Sequence, residues 1–158
     1  MTQTASLSPA TEAELCSSPA ASVHALRAAT AHMERTMARA LEPFGITAAQ
    51  YELLLVIQLR SGKGGGCSEL GRHVAAPGPD ITRMLDRLDN AGLVSRYRDD
   101  TDRRIVHTML TDKARELLAA VTPAAQDAES AIFSGLAEPE RIQLTTLLRR
   151  IRQNCPID

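Results

Sequence analysis

Two β-prone runs, LVSRY at residues 93–97 and IVHTML at 105–110, are separated by RDDTDRR, in which six of seven side chains are charged. Three chemistries fit such a loop. The first is a metal site, since calcium loops place carboxylates at regular offsets with a bidentate acid at the far end. DDTD begins that way, but the order then fails, no glutamate closes the loop, and Arg103 and Arg104 crowd the acids. No metal is expected. The second is a solubilising turn, which any mix of charges would serve. The third is a probe for a charged partner. An arginine can enter a narrow DNA minor groove, where the negative potential is enhanced. It needs a carboxylate to hold its aim, and Asp102 stands two residues before Arg104.

A second candidate lies just upstream. At 100° per residue, Ile81, Met84, Leu85 and Leu88 fall on one side of a helix over residues 80–91. Arg83, Asp86, Arg87 and Asn90 take the other side, with Thr82 on its edge. Arg83 and Arg87 are one turn apart. A helix docked by its apolar side would hold both guanidinium groups outward, suited to guanine edges or phosphates in a major groove. The alternative is a solvated face on which Arg83, Asp86 and Arg87 pair among themselves. The residues alone leave both open.

Other chemistries find no support. No Ser/His/Asp, Cys/His or paired-carboxylate arrangement can be built, so no enzyme and no cofactor is expected. SGKGGG at 61–66 lacks the order of a phosphate loop. Cys16, Cys67 and Cys155 make neither a metal-ligand spacing nor an even disulfide set. Among His24, His32, His73 and His107 only the first two share a helix face, too little for a zinc site. No apolar run approaches the roughly 18 residues of a membrane span. The N-terminal stretch has neither the basic nor the apolar region of a secretory signal, and a reducing cytoplasm fits best. The net charge of −1 argues against a bulk nucleic-acid binder. Any DNA reading therefore rests on where particular arginines point.

Several elements must position these groups. Residues 1–20, rich in Ser, Thr, Ala and Pro, read as a mobile tail. From Ser22 a helix carries a narrow seam of Val23, Leu26, Thr30, Met33, Met37 and Ala40, ending at Pro43 and Gly45. Thr47 and Gln50 form a capping box, with Ile46 and Tyr51 placed as a hydrophobic staple. The helix that follows is apolar on most sides and should be central and buried. A short helix from Ser68 to about Ala75 and a turn, AAPGPD, lead to a helix capped by Asp80 and stopped by Gly92. After the hairpin comes a long helix, with a bend expected near Pro123. A last helix starts at Pro139, with Leu144, Leu147, Leu148 and Ile151 at helical spacing. The apolar faces at both ends of the chain favour a homodimer interface built from Val23, Leu26, Met33, Leu144, Leu147, Leu148 and Ile151. The fold class is mainly α with a small β-hairpin wing. Dimerisation helices at 21–45 and 112–158 flank a helix-turn-helix core at 46–111.

The helix-turn-helix, the segment DITRMLDRLDNAGLVSRYRDDTDRRIVHTMLT and the long helix after it resemble the winged-helix core of the MarR (multiple antibiotic resistance) family of bacterial transcriptional regulators. The matching pieces are Thr82-Arg83, DRLDNAGLV at 86–94, the wing's DRR, and Leu110-Thr111. The likeness covers roughly residues 24–152 and implies a homodimer on double-stranded DNA, with recognition helices in major grooves and wings in minor grooves. It implies Thr82, Arg83 and Arg87 as the major-groove set and Arg104, oriented by Asp102 and beside Arg103, as the minor-groove residue. Ser68 and Arg72 become candidate phosphate contacts. It further implies a repressor released from a palindromic operator by a small aromatic or phenolic effector, in a cleft lined by Met33, Met37, Leu54, Ile57, Arg72 and His107. The alternatives are a winged-helix module for protein–protein contact and an oxidant sensor using Cys67 or Cys16. The chain departs from the family in Ala114, where glycine is frequent, in the acidic residues Asp80, Asp86 and Asp89 on the recognition helix, and in its longer tail.

Overall fold

A computed structural model describes residues 18–60, 78–99 and 106–154. Its elements are α1 (Pro19–Leu41), a short 3-10 turn (Glu42–Phe44), α2 (Ala48–Leu59), α3 (Gly78–Asn90), β1 (Val94–Arg98), β2 (Val106–Leu110), α4 (Asp112–Ile132) and α5 (Glu138–Asn154). The short helix expected from Ser68 to Ala75 lies outside the described residues, as does the tail before Ser18. The chain forms two compact units, Met1–Thr36 and Met37–Asp158, so α1 runs from one into the other.

Local signals set most of the boundaries. Ser18 caps α1 by accepting from the Ala21 N–H at 3.1 Å, and Pro19 at the first helical position needs no N–H there. The helix thus starts three residues ahead of the expected Ser22. Gly45 takes φ 67° where the chain turns out of the 3-10 segment, a conformation that costs glycine little. The expected box is present at α2: Thr47 Oγ1 accepts from the Gln50 N–H and Gln50 Oε1 from the Thr47 N–H. α3 departs from expectation, since it begins at Gly78 and places Asp80 within its first turn. Pro79 is the reason, because a proline fits the first turn of a helix and is excluded only further in.

The exit of α3 is a Schellman motif. The Leu93 N–H reaches Leu88 O and the Gly92 N–H reaches Asp89 O, with Gly92 at φ 69°. Leu93 is therefore spent on the helix end, and β1 starts one residue later than LVSRY suggests. β1 and β2 are antiparallel, with Val94 opposite Leu110 and Arg98 opposite Val106. Arg98, counted above in the charged tip, is a strand residue. Thr111 then caps α4. α4 runs unbroken through Pro123, so the proline does not divide it. Glu140 Oε2 accepts from the Ala137 N–H at the start of α5.

The core of the second unit lies between α2, α3, α4 and the hairpin. Leu41, Leu53, Leu54, Leu85, Leu88 and Val121 are completely buried, and Ile81, Leu118 and Leu110 nearly so. α2 is central as expected, although Leu59 at its end is 84% exposed. The buried face of α4 includes Ala114, Ala125 and Ala128, small side chains that allow close approach to its neighbours. α5 buries none of its side chains among the described residues, and α1 buries none before Leu41. No single helix among the described residues is long and apolar enough to cross a membrane.

Candidate nucleic-acid interface

The face of α3 divides as its spacing requires. Ile81, Leu85 and Leu88 are buried in the core and Met84 is half-buried. Thr82, Arg83, Asp86, Arg87, Asp89 and Asn90 are exposed. Neither Arg83 nor Arg87 has an ion-pair partner among the described residues. Pairing of Arg83, Asp86 and Arg87 among themselves is not what the chain does, because Asp86 turns elsewhere.

Its partner is Arg96 of β1, whose Nη1 donates to Asp86 Oδ1 at 2.6 Å. The pair ties the recognition helix to the first strand of the wing. Sequence reasoning missed this contact, although a signal existed. Alternation along β1 puts Val94, Arg96 and Arg98 on one face, and Val94 is buried. An arginine two residues from a buried valine points back towards the helices.

The other face of the hairpin carries Ser95, Tyr97, His107 and Met109 in two cross-strand pairs. The rings of Tyr97 and His107 lie 5.0 Å apart at 32°. His107 Nε2 is 2.8 Å from Asp99 Oδ2, while its buried Nδ1 has no hydrogen-bond partner among the described residues. Asp99, the first residue after β1, thus reaches back to the tip end of the ladder, where Tyr97 pairs with His107. The root of the hairpin is also held. Thr111 Oγ1 donates to Gly92 O at 2.8 Å and Lys113 Nζ to Ala91 O at 2.8 Å. The exit of α3 and the start of α4 are therefore tied to each other.

The remaining expected site residues divide as follows. Ser68, Arg72, Asp102, Arg103 and Arg104 lie outside the described residues, as do Cys16 and Cys67. Of the candidate effector-cleft positions, Leu54 and Ile57 are core residues and Met37 packs against that core. His107 is in the wing, and Met33 is exposed in the other compact unit. Of the candidate dimer residues, Val23, Leu26, Met33, Leu147, Leu148 and Ile151 are exposed and Leu144 is half-buried. Among the described residues no three His, Cys, Asp or Glu side chains gather as a metal site would require. Partial desolvation raises the pKa of Glu52, on the outer edge of α2.

Among the described residues, a buried central helix, an arginine-bearing helix docked by its apolar side and a β-hairpin directly after it are the parts of a winged-helix fold. The model of the SarA/Rot transcriptional regulators matches residues 36–121, just over half of the chain. The chain belongs to this family of MarR-type winged-helix regulators. It is similar to the transcriptional repressor MprA of Escherichia coli, with 28% identity over 111 residues, 70% of this chain. It spans 63% of the length of the curated relatives it matches. A mutant of E. coli MarR in complex with operator DNA superposes with a TM-score of 0.74 and 26% identity, over 81% of this chain and 91% of that one. Bordetella bronchiseptica BpsR shares the fold, with a TM-score of 0.76 and 24% identity, over 90% of this chain and 96% of that one. The matched family and MprA are transcriptional regulators.

Proposed function

We propose that the chain acts as a homodimeric repressor on a palindromic operator and leaves the DNA when a small aromatic or phenolic effector binds. The observation that carries this is the orientation of α3. With Ile81, Leu85 and Leu88 held in the core, Thr82, Arg83 and Arg87 face solvent. In this reading those three enter the major groove. The wing takes the flanking minor groove through Arg104, aimed by Asp102 and accompanied by Arg103, while Ser68 and Arg72 meet phosphates. Two copies join through Val23, Leu26, Met33, Leu144, Leu147, Leu148 and Ile151. Supporting this are the exposed apolar side chains on α1 and α5. The repressor role draws on the likeness to MprA. For the effector, Met33, Met37, Leu54, Ile57, Arg72 and His107 remain the positions to substitute first. DNA binding by BpsR is regulated by 6-hydroxynicotinic acid, but its likeness to this chain is one of fold alone.

The test compares two arginines on a duplex selected by the protein from random sequence. Arg104→Ala is expected to weaken binding by about 1–3 kcal/mol while the dimer stays folded. Arg83→Ala is expected to relax base preference by a similar amount, about 1–3 kcal/mol, more than it lowers affinity for unrelated DNA. Wild-type affinity should fall steeply with salt. A salt-independent association, or two variants that bind as the wild type does, would remove the reading.

A further inference from the structure

We propose that Arg96 is a positioning residue for DNA recognition, which keeps Arg83 available to the duplex by holding Asp86 away from it. The inference rests on the placement of α3 in a groove proposed above. Arg83 and Asp86 stand three residues apart on one helix, a spacing at which oppositely charged side chains are neighbours. Both are exposed. Left to themselves they would pair across the turn, and the arginine would have to leave that pair before it could reach a base. The structure shows a different pairing, with the Asp86 carboxylate on Arg96 Nη1 at 2.6 Å.

The geometry also says which partner is held. Arg96 lies in the middle of β1, opposite Thr108, and its side chain is 24% exposed against 53% for Asp86. The more enclosed, strand-anchored guanidinium draws the carboxylate towards the wing. This offsets a charge that would otherwise face phosphate from the outer side of α3. The chain thus carries an acid on its recognition helix together with the base that neutralises it. Arg96 acts through Asp86 and need not touch DNA.

A purely mechanical tie between helix and wing would use the same ion pair, and the two roles separate on substitution. In the mechanical case, losing either partner does equal harm and losing both is no better. In the competitive case, the freed carboxylate does the harm, so removing it as well restores binding. The probes are a duplex selected from random sequence by the wild-type full-length chain and a scrambled duplex of equal length. Arg96→Ala is expected to weaken binding to the selected duplex about two- to fivefold, the size of the exposed ion pair that Arg83 would have to leave, and to weaken the scrambled duplex less. Asp86→Asn alone should bind as well as the wild type or better. Arg96→Ala combined with Asp86→Asn should recover most of the loss. Arg96→Lys, which keeps the charge on the strand, should stay near the wild type and covers the case in which Arg96→Ala does not fold. An Arg96→Ala protein with full affinity, a double variant as weak as Arg96→Ala, or an Arg96→Lys loss equal to that of alanine would each overturn the proposal. Failure of the wild type to select any duplex would instead overturn the DNA placement on which it rests.

Discussion

Leu85 and Leu148 are the same residue on amphipathic helices, yet Leu85 is fully buried and Leu148 is 39% exposed. The contrast extends to the regions that hold them. In the winged core, α2, α3, α4 and the hairpin surround one another, so each apolar face meets several others. On α5, Leu147, Leu148 and Ile151 stay open to solvent, and on α1 so do Val23 and Leu26. Spacing identifies an apolar face on a helix. It says nothing about how many elements are present to cover it. The winged core supplies its own cover, and the terminal helices leave these side chains exposed.

The largest effect should come from the side of the comparison that is already closed. Leu85→Ala removes a fully buried side chain and leaves a cavity, which destabilises by about 2–5 kcal/mol. Urea unfolding should show a lower midpoint with the slope kept. A loss below about 1 kcal/mol, typical of surface positions, would place Leu85 outside the core and erase the contrast with Leu148.

The second effect tests the open side. Leu148→Glu puts a carboxylate into the proposed subunit contact, where losing a central anchor costs about 2 kcal/mol or more. Sedimentation should show the protein shifting from dimer towards monomer at micromolar concentration. The winged core should keep its secondary structure, because α5 contributes no buried side chain to it. A variant of unchanged mass would mean that this face is not where two copies meet.

The same contrast explains what could be read from the residues and what could not. The capping box of Thr47 and Gln50, the stop at Gly92 and the apolar side of α3 were legible because each depends on residues within one turn of one another. The start of α3 was misplaced at Asp80, since a strong capping residue outweighed the tolerance of a first turn for Pro79. The strand was begun one residue early because Leu93 is as β-prone as its neighbours, and only the hydrogen bond to Leu88 shows its other duty. The Asp86–Arg96 pair was missed for a different reason. Its partners are ten residues apart and meet only once the hairpin has folded back on the helix, whereas a helical-face argument sees neighbours three or four residues away. The exposure of Leu59 likewise depends on packing around the end of α2, which its own spacing does not report.

The smallest effect lies at the rim of the closed region. Glu52 is on the solvent side of α2, yet partial desolvation raises its carboxyl pKa above the ordinary value of 4.5. A raised carboxyl makes the folded chain bind protons more readily than the unfolded one. Its contribution is therefore fully present below the unfolded value and is lost as pH rises through the folded value. Because the side chain is largely in water, screening keeps the contribution small. Glu52→Gln should remove that increment, so the stability difference between variant and wild type should drift in the variant's favour from about pH 4 upward and level off once the folded carboxyl is ionised. Unfolding curves taken at closely spaced pH values measure it. A difference that stays flat, or that moves in the wild type's favour, would show that the crowding of the winged core stops short of its outer edge.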